Sequence, residues 1–190
     1  MAPRTLLLAF APLIVFSVLA RLLPPAHIGV IALAGAVLAL AAEVAIRPVW
    51  PPNLLSSCSL ALFSVIAVLG FTQDQRTDSW LATWGGAGVG LPLGLALLAL
   101  LPVRPFTEQF ARETTPRAYW SSPTFRKVNR VLSAAWGAAI CAVGVSRVTA
   151  AVVSDNAFRL LPELLLGLIV PVAIISSALG FSRRCYQSIQ

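Results

Sequence analysis

The side chains that could carry chemistry are few: one histidine, three cysteines and seven carboxylates in 190 residues. His27 alone cannot serve a Ser-His-Asp set, and Cys58, Cys141 and Cys185 form no C-x-x-C pair that would hold a metal with it. No G-x-x-x-x-G-K-[ST] run occurs, so a phosphate-cradling P-loop is absent from the sequence. Carboxylates come in pairs only as Asp74 with Asp78 and Glu108 with Glu113. The second pair is five apart, and on a helix such residues point in different directions. The sequence therefore predicts no enzyme, no bound metal and no cofactor.

The remaining chemistry is positive charge interleaved with aromatic rings. Residues 104–130, RPFTEQFARETTPRAYWSSPTFRKVNR, hold Arg104, Arg112, Arg117, Arg126, Lys127 and Arg130. Those are six of the fourteen basic residues in the chain. Pro105 suits the first position of a helix that ends at Thr114, with Phe106 and Phe110 on its apolar side. Glu108 and Arg112 stand in the favourable i, i+4 order on its polar side. This pattern predicts a short helix lying in a membrane interface. Pro116 ends it, and Tyr119 and Trp120 follow where aromatic residues anchor at headgroup depth. Ser122 can cap and Pro123 can start the next helix, which carries Phe125, Arg126, Lys127 and Asn129. A surface made of Arg104, Phe106, Phe110, Arg112, Arg117, Tyr119, Trp120, Arg126, Lys127 and Asn129 would bind anionic lipid or a membrane partner. The plainer account is a loop made basic by topology alone.

The elements that must position this block are dictated by composition. Hydrophobic residues make up 58% of the chain and charged residues 11%, against roughly a quarter charged in soluble domains. Six apolar segments are each long enough to cross a hydrocarbon core about 30 Å thick. They run over residues 5–23, 27–46, 54–71, 80–101, 128–148 and 160–181. The expected fold is all-α: one polytopic transmembrane helical bundle over 1–190, with six spans and the interfacial helix in the fourth loop. For the first segment a cleavable signal peptide competes, since Val18-Leu19-Ala20 follows an apolar run; Arg21 and Pro24-Pro25 favour a span. With the N-terminus inside, ten basic residues lie on the inner side and four (Arg21, Arg76, Arg147, Arg159) on the outer. That asymmetry predicts both termini in the cytoplasm. The net charge of +7 is thereby explained without nucleic acid.

Packing signals lie within the spans. Gly86, Gly90 and Gly94 share one face of the fourth, and Ala134, Ala138 and Ala142 share one face of the fifth, beside Ser133, Gly137 and Cys141. Small residues four apart let helix backbones approach where lipid supplies no hydrophobic drive. Contact within the monomer is expected, with a homo-oligomer face as the alternative. Pro12, Pro92 and Pro171 fall inside helices, and Pro92 is the best place for a broken span. Glu43 with Arg47, and Arg159 with Glu163, read as ion pairs near helix ends. Polar residues within the spans otherwise amount to Ser56, Ser57, Ser59 and Ser64 in the third, Ser133 in the fifth and Ser176 and Ser177 in the sixth, which is thin for an ion path.

At 100–145 the chain resembles the bacterial inner-membrane proteins called intracellular septation protein A and related membrane proteins. The elements that carry the resemblance are Arg104-Pro105, the helix from Phe106 to Thr114, the Pro116-to-Trp120 corner, and Phe125, Asn129 and Trp136. The spacing of Asn129 and Trp136 departs from the septation pattern, where the two stand closer. What the resemblance implies is a multi-pass plasma-membrane protein of the cell envelope, acting through lipids or division partners and without a catalytic residue. A small transporter or channel using Pro92, Glu43 and the glycine face of the fourth span is the other expectation.

Overall fold

In hydrocarbon a helix is the open-ended backbone form that satisfies its own hydrogen bonds, and every described element of this chain is helical. The structure, a computed structural model, describes residues 3–46, 54–71, 74–153 and 165–187. Three helical stretches are long and apolar enough to cross a membrane: Pro25–Val44, Pro123–Val153 and Leu165–Ser182. Gln75–Gly85 and Gly88–Ala99 make a fourth if they count as one broken span. Phe10–Ala20 and Leu54–Gly70 are apolar but shorter. The break in the fourth falls between Gly85 and Gly88, ahead of Pro92. Glycine gives a helix no side-chain packing to hold it straight. Arg47, Arg159 and Glu163 lie outside the described residues.

Two compact units divide the chain, one up to Val89 and one from Gly90. In the first, α1 (Pro3–Leu22) starts on a proline whose missing amide costs nothing there. The Pro24-Pro25 break follows as expected, and a single tight turn, Pro25–His27, leads into α2 (Ile28–Ile46). α3 (Leu54–Gly70) runs antiparallel to α2: Gly29 meets Gly70, while Gly35 meets the Phe63 ring. The first approach is so close that a methyl on Gly70 would stand 2.7 Å from the Gly29 Cα. Phe16 of α1 fills the space beside Phe63, ring centroids 5.0 Å apart. Ile28, Ile31, Ala32, Ala36 and Ile66 complete this core. The outward sides of α2 and α3 present Val30, Val37, Val44, Val65 and Val68, more apolar surface than water tolerates on a folded domain.

α4 (Gln75–Ala99) runs from the first unit into the second. The second unit then adds α5 (Phe106–Thr114), α6 (Pro123–Val153) and α7 (Val170–Gln187). α6 is the hub, with the end of α4, α5 and α7 all against it. Gly90 and Gly94 face Gly144, Cys141 and Gly137, so this glycine face packs within the monomer. The surroundings of Gly86 lie outside the description. The partner row on α6 is a correction. Ala138 and Ala142 are exposed, and the neighbouring row of Gly137, Cys141 and Gly144 makes the contact.

α7 is entered through a wide helical turn, Leu165–Ile169, of the kind in which a carbonyl pairs with the amide five residues on. In that pattern the Leu166 carbonyl would take the amide of residue 171, which is proline and has none. The Ser146 hydroxyl of α6 donates to that carbonyl instead. Farther along, the Trp136 indole N–H donates to the Ser182 hydroxyl (3.0 Å), which in turn donates to the Ala178 carbonyl (2.8 Å). The two helices are thus tied by side-chain hydrogen bonds at two levels.

Candidate functional site: a basic surface carried by a buried helix

Phe106 and Phe110 were expected to lie toward lipid, and the structure places them otherwise. They are 1% and 2% exposed, in edge-to-face contact at 6.3 Å, on the side of α5 that closes over α6. The reason is polar as well as apolar. Thr107, between them in register, donates its amide to the Ser133 hydroxyl (3.1 Å) and its own hydroxyl to the Asn129 carbonyl (2.8 Å). The Thr107 and Ser133 hydroxyls also lie 2.8 Å apart. The Thr107 amide belongs to the first turn of α5 and has no partner within its helix, so α6 supplies one. A helix tied this way presents protein, not membrane, to its apolar side.

Asn129 is likewise interior. Its side-chain amide donates to the Phe125 carbonyl (2.8 Å), and Oδ1 is buried without a partner among the described residues. Of the ten residues singled out for the surface, these three therefore support it from beneath. Pro105 also shifts slightly: it precedes the helix, which begins at Phe106.

What α5 leaves outside is charged. Glu108 and Arg112 form the expected i, i+4 ion pair. Thr115 is extended because Pro116 follows it, and the chain then makes one tight turn, Arg117–Tyr119. That turn returns Trp120 to the end of α5, where its indole N–H donates to the Thr115 carbonyl (2.8 Å). The ring so fixed receives two cations. The Arg112 guanidinium lies 4.9 Å from its centroid and that of Arg117 lies 5.8 Å away. Ser122 then caps α6 as expected, accepting from the Phe125 amide at 3.2 Å, with Pro123 in the first helical position. Arg126, Lys127 and Arg130 are exposed on the opening turns of α6, and Arg104 is half-buried at the entry to α5.

Of the block, Arg112, Arg117 and Trp120 are brought together, and Tyr119, next to Trp120 in the chain, is exposed. Sequence reasoning missed Thr107, Ser133 and Ser182, whose partners stand 26 and 46 residues away. Among the described residues no three His, Cys, Asp or Glu side chains gather as metal ligands would. No family model matches the chain, and neither a characterised protein nor a solved structure shows significant similarity to it.

Proposed function

We propose that this chain is a non-enzymatic, multi-pass protein of the bacterial plasma membrane whose basic segment binds anionic lipid or a membrane partner. In this reading the six apolar segments all span, both termini are cytoplasmic, and the block at 104–127 lies on the inner side. The septation-protein resemblance adds a role in the cell envelope. One observation carries the reading: Arg112, and Arg117 on the turn after it, stand on a helix held in place through Thr107, Phe106 and Phe110. A loop made basic only to orient the chain needs no such foundation. Each basic residue close to an anionic surface contributes about 1 kcal/mol of attraction.

Replacing Arg112, Arg117, Arg126 and Lys127 together by glutamine tests it. Retained anionic lipid after mild extraction should fall, while reporter fusions after Trp50, after Arg126 and at Gln190 still report the cytoplasm. Unchanged lipid retention, with unchanged envelope sensitivity of cells carrying only the variant, would leave the block as an orienting loop. A periplasmic signal at Arg126 would overturn the topology.

The second reading, a small transporter or channel, draws on Ser56 and Ser59. Their hydroxyls are buried on α3 with no partner among the described residues. Solute flux into vesicles that Ser56→Ala and Ser59→Ala abolish would favour it.

A further inference from the structure

Two guanidinium groups close to one ring are an unusual arrangement, because like charges repel and each would be better hydrated apart. Arg112 is offset by Glu108. Among the described side chains Arg117 has the Trp120 ring as its partner. A ring quadrupole attracts a cation but leaves its charge in place. The cluster of Glu108, Arg112, Arg117 and Trp120 thus sets two cations against one carboxylate. Its framework is fixed by the indole bond to Thr115 and by the burial of α5 beneath it.

We infer that Arg112 and Arg117, held on the Trp120 ring, form a discrete binding site for the phosphodiester of one anionic phospholipid headgroup. This rests on the lipid-binding reading of the block and sharpens it from a diffuse attraction to a site with a stoichiometry. Guanidinium groups suit the task. A guanidinium offers parallel N–H donors to a pair of phosphate oxygens while its flat face lies on an indole, and an ammonium provides neither. One donor of Arg112 is taken by Glu108, so the phosphate would draw on the rest of its fork and on that of Arg117. The lipid, rather than a soluble phosphate, is indicated by position. Trp120 lies three residues before Pro123, where the candidate span Pro123–Val153 begins. Tyr119, 62% exposed, is its neighbour, and a tyrosine at the mouth of a span suits headgroup depth. Arg126 and Lys127, exposed on the first turns of that span, would neighbour the same headgroup.

The test uses the full-length protein in detergent, titrated with phosphatidylglycerol or phosphatidylcholine and read by native mass spectrometry. One phosphatidylglycerol should bind ahead of a weaker, graded population, and phosphatidylcholine should not replace it. Arg117→Lys keeps the charge and lies on an exposed residue, so it should not disturb folding; it should weaken the first site by roughly fivefold, equivalent to about 1 kcal/mol. Trp120→Phe should weaken it too, and Arg76→Lys, on the outer side, should not. If Arg117→Lys and Trp120→Phe both bind like wild type while the fourfold glutamine variant loses lipid, the site is overturned and the broader reading stands. If the fourfold variant also binds like wild type, both fall. Displacement by millimolar glycerol phosphate in place of lipid would overturn the assignment to a headgroup.

Discussion

Gly94 and Cys141 stand so close that a single methyl group on the glycine would meet the cysteine's backbone nitrogen at 2.7 Å. The cysteine sulfur is nearer still, and although a side chain can turn aside, the backbone nitrogen and the Gly137 carbonyl oxygen at 3.0 Å cannot. Gly94→Ala should therefore destabilise the second unit by about 1 to 3 kcal/mol through overpacking. Gly180 provides the opposite sign, because a Cβ there meets nothing within 4 Å. Gly180→Ala should stabilise α7 by about 0.5 to 1 kcal/mol through reduced backbone entropy alone. Thermal unfolding in one detergent compares the two; equal shifts would remove the close contact from the account.

Ser146 and Pro171 make a pair that a double-mutant cycle can separate. Ser146→Ala removes the donor that serves the Leu166 carbonyl, at a cost on the order of 1 kcal/mol in a membrane setting. Pro171→Ala returns an amide to the helix. In that background the serine should matter less, and additive effects would show that the carbonyl has another donor.

Thr107 ties α5 down through its hydroxyl, so the conservative variants should divide. Thr107→Ser keeps Oγ and should hold the helix in place. Thr107→Val keeps the shape, loses the bonds to Asn129 and Ser133, and should cost about 1 to 3 kcal/mol. Protease cleavage near Arg112 should then quicken in the valine variant and not in the serine one.

Asp74 caps α4 outside the spans, accepting from the Thr77 hydroxyl at 2.9 Å and the Arg76 amide at 3.2 Å. These bonds, the Thr77 one foremost, hold its carboxyl below the ordinary aspartate value. A carboxylate depressed in the folded state stabilises it above the unfolded pKa, about 3.9. That contribution disappears as pH falls through the lower folded value. Hydrogen-exchange protection of the first turn of α4 should thus decline below about pH 4. Asp74→Asn still accepts from the Arg76 amide, so its protection should be flat over the same range.

The parts of the site legible in the sequence were those governed by local rules. The Glu108–Arg112 pair follows from helical spacing, the Ser122 cap from its place before Pro123, and the Thr115 bend from Pro116. Local rules also marked the glycine face of α4, but not its partner. Two rows of small residues lie side by side on α6, and only assembly selects Gly137, Cys141 and Gly144 over Ala138 and Ala142. Amphipathic spacing likewise separated Phe106 and Phe110 from Arg112 without indicating whether lipid or protein covers them. The answer lay in Ser133 and Asn129, and a hydrogen bond between distant residues leaves no period in the sequence.

The borrowed donor of α7 has a bearing on how this protein is made. A carbonyl that takes its donor from a neighbouring helix is poorly suited to enter hydrocarbon alone, because hydrocarbon offers it no replacement. The helix that holds Ser146 is synthesised first, so the hydroxyl is already waiting when Leu166 emerges. In a membrane α6 and α7 would on this ground enter best as a pair, with chain order supplying the donor before the carbonyl that takes it.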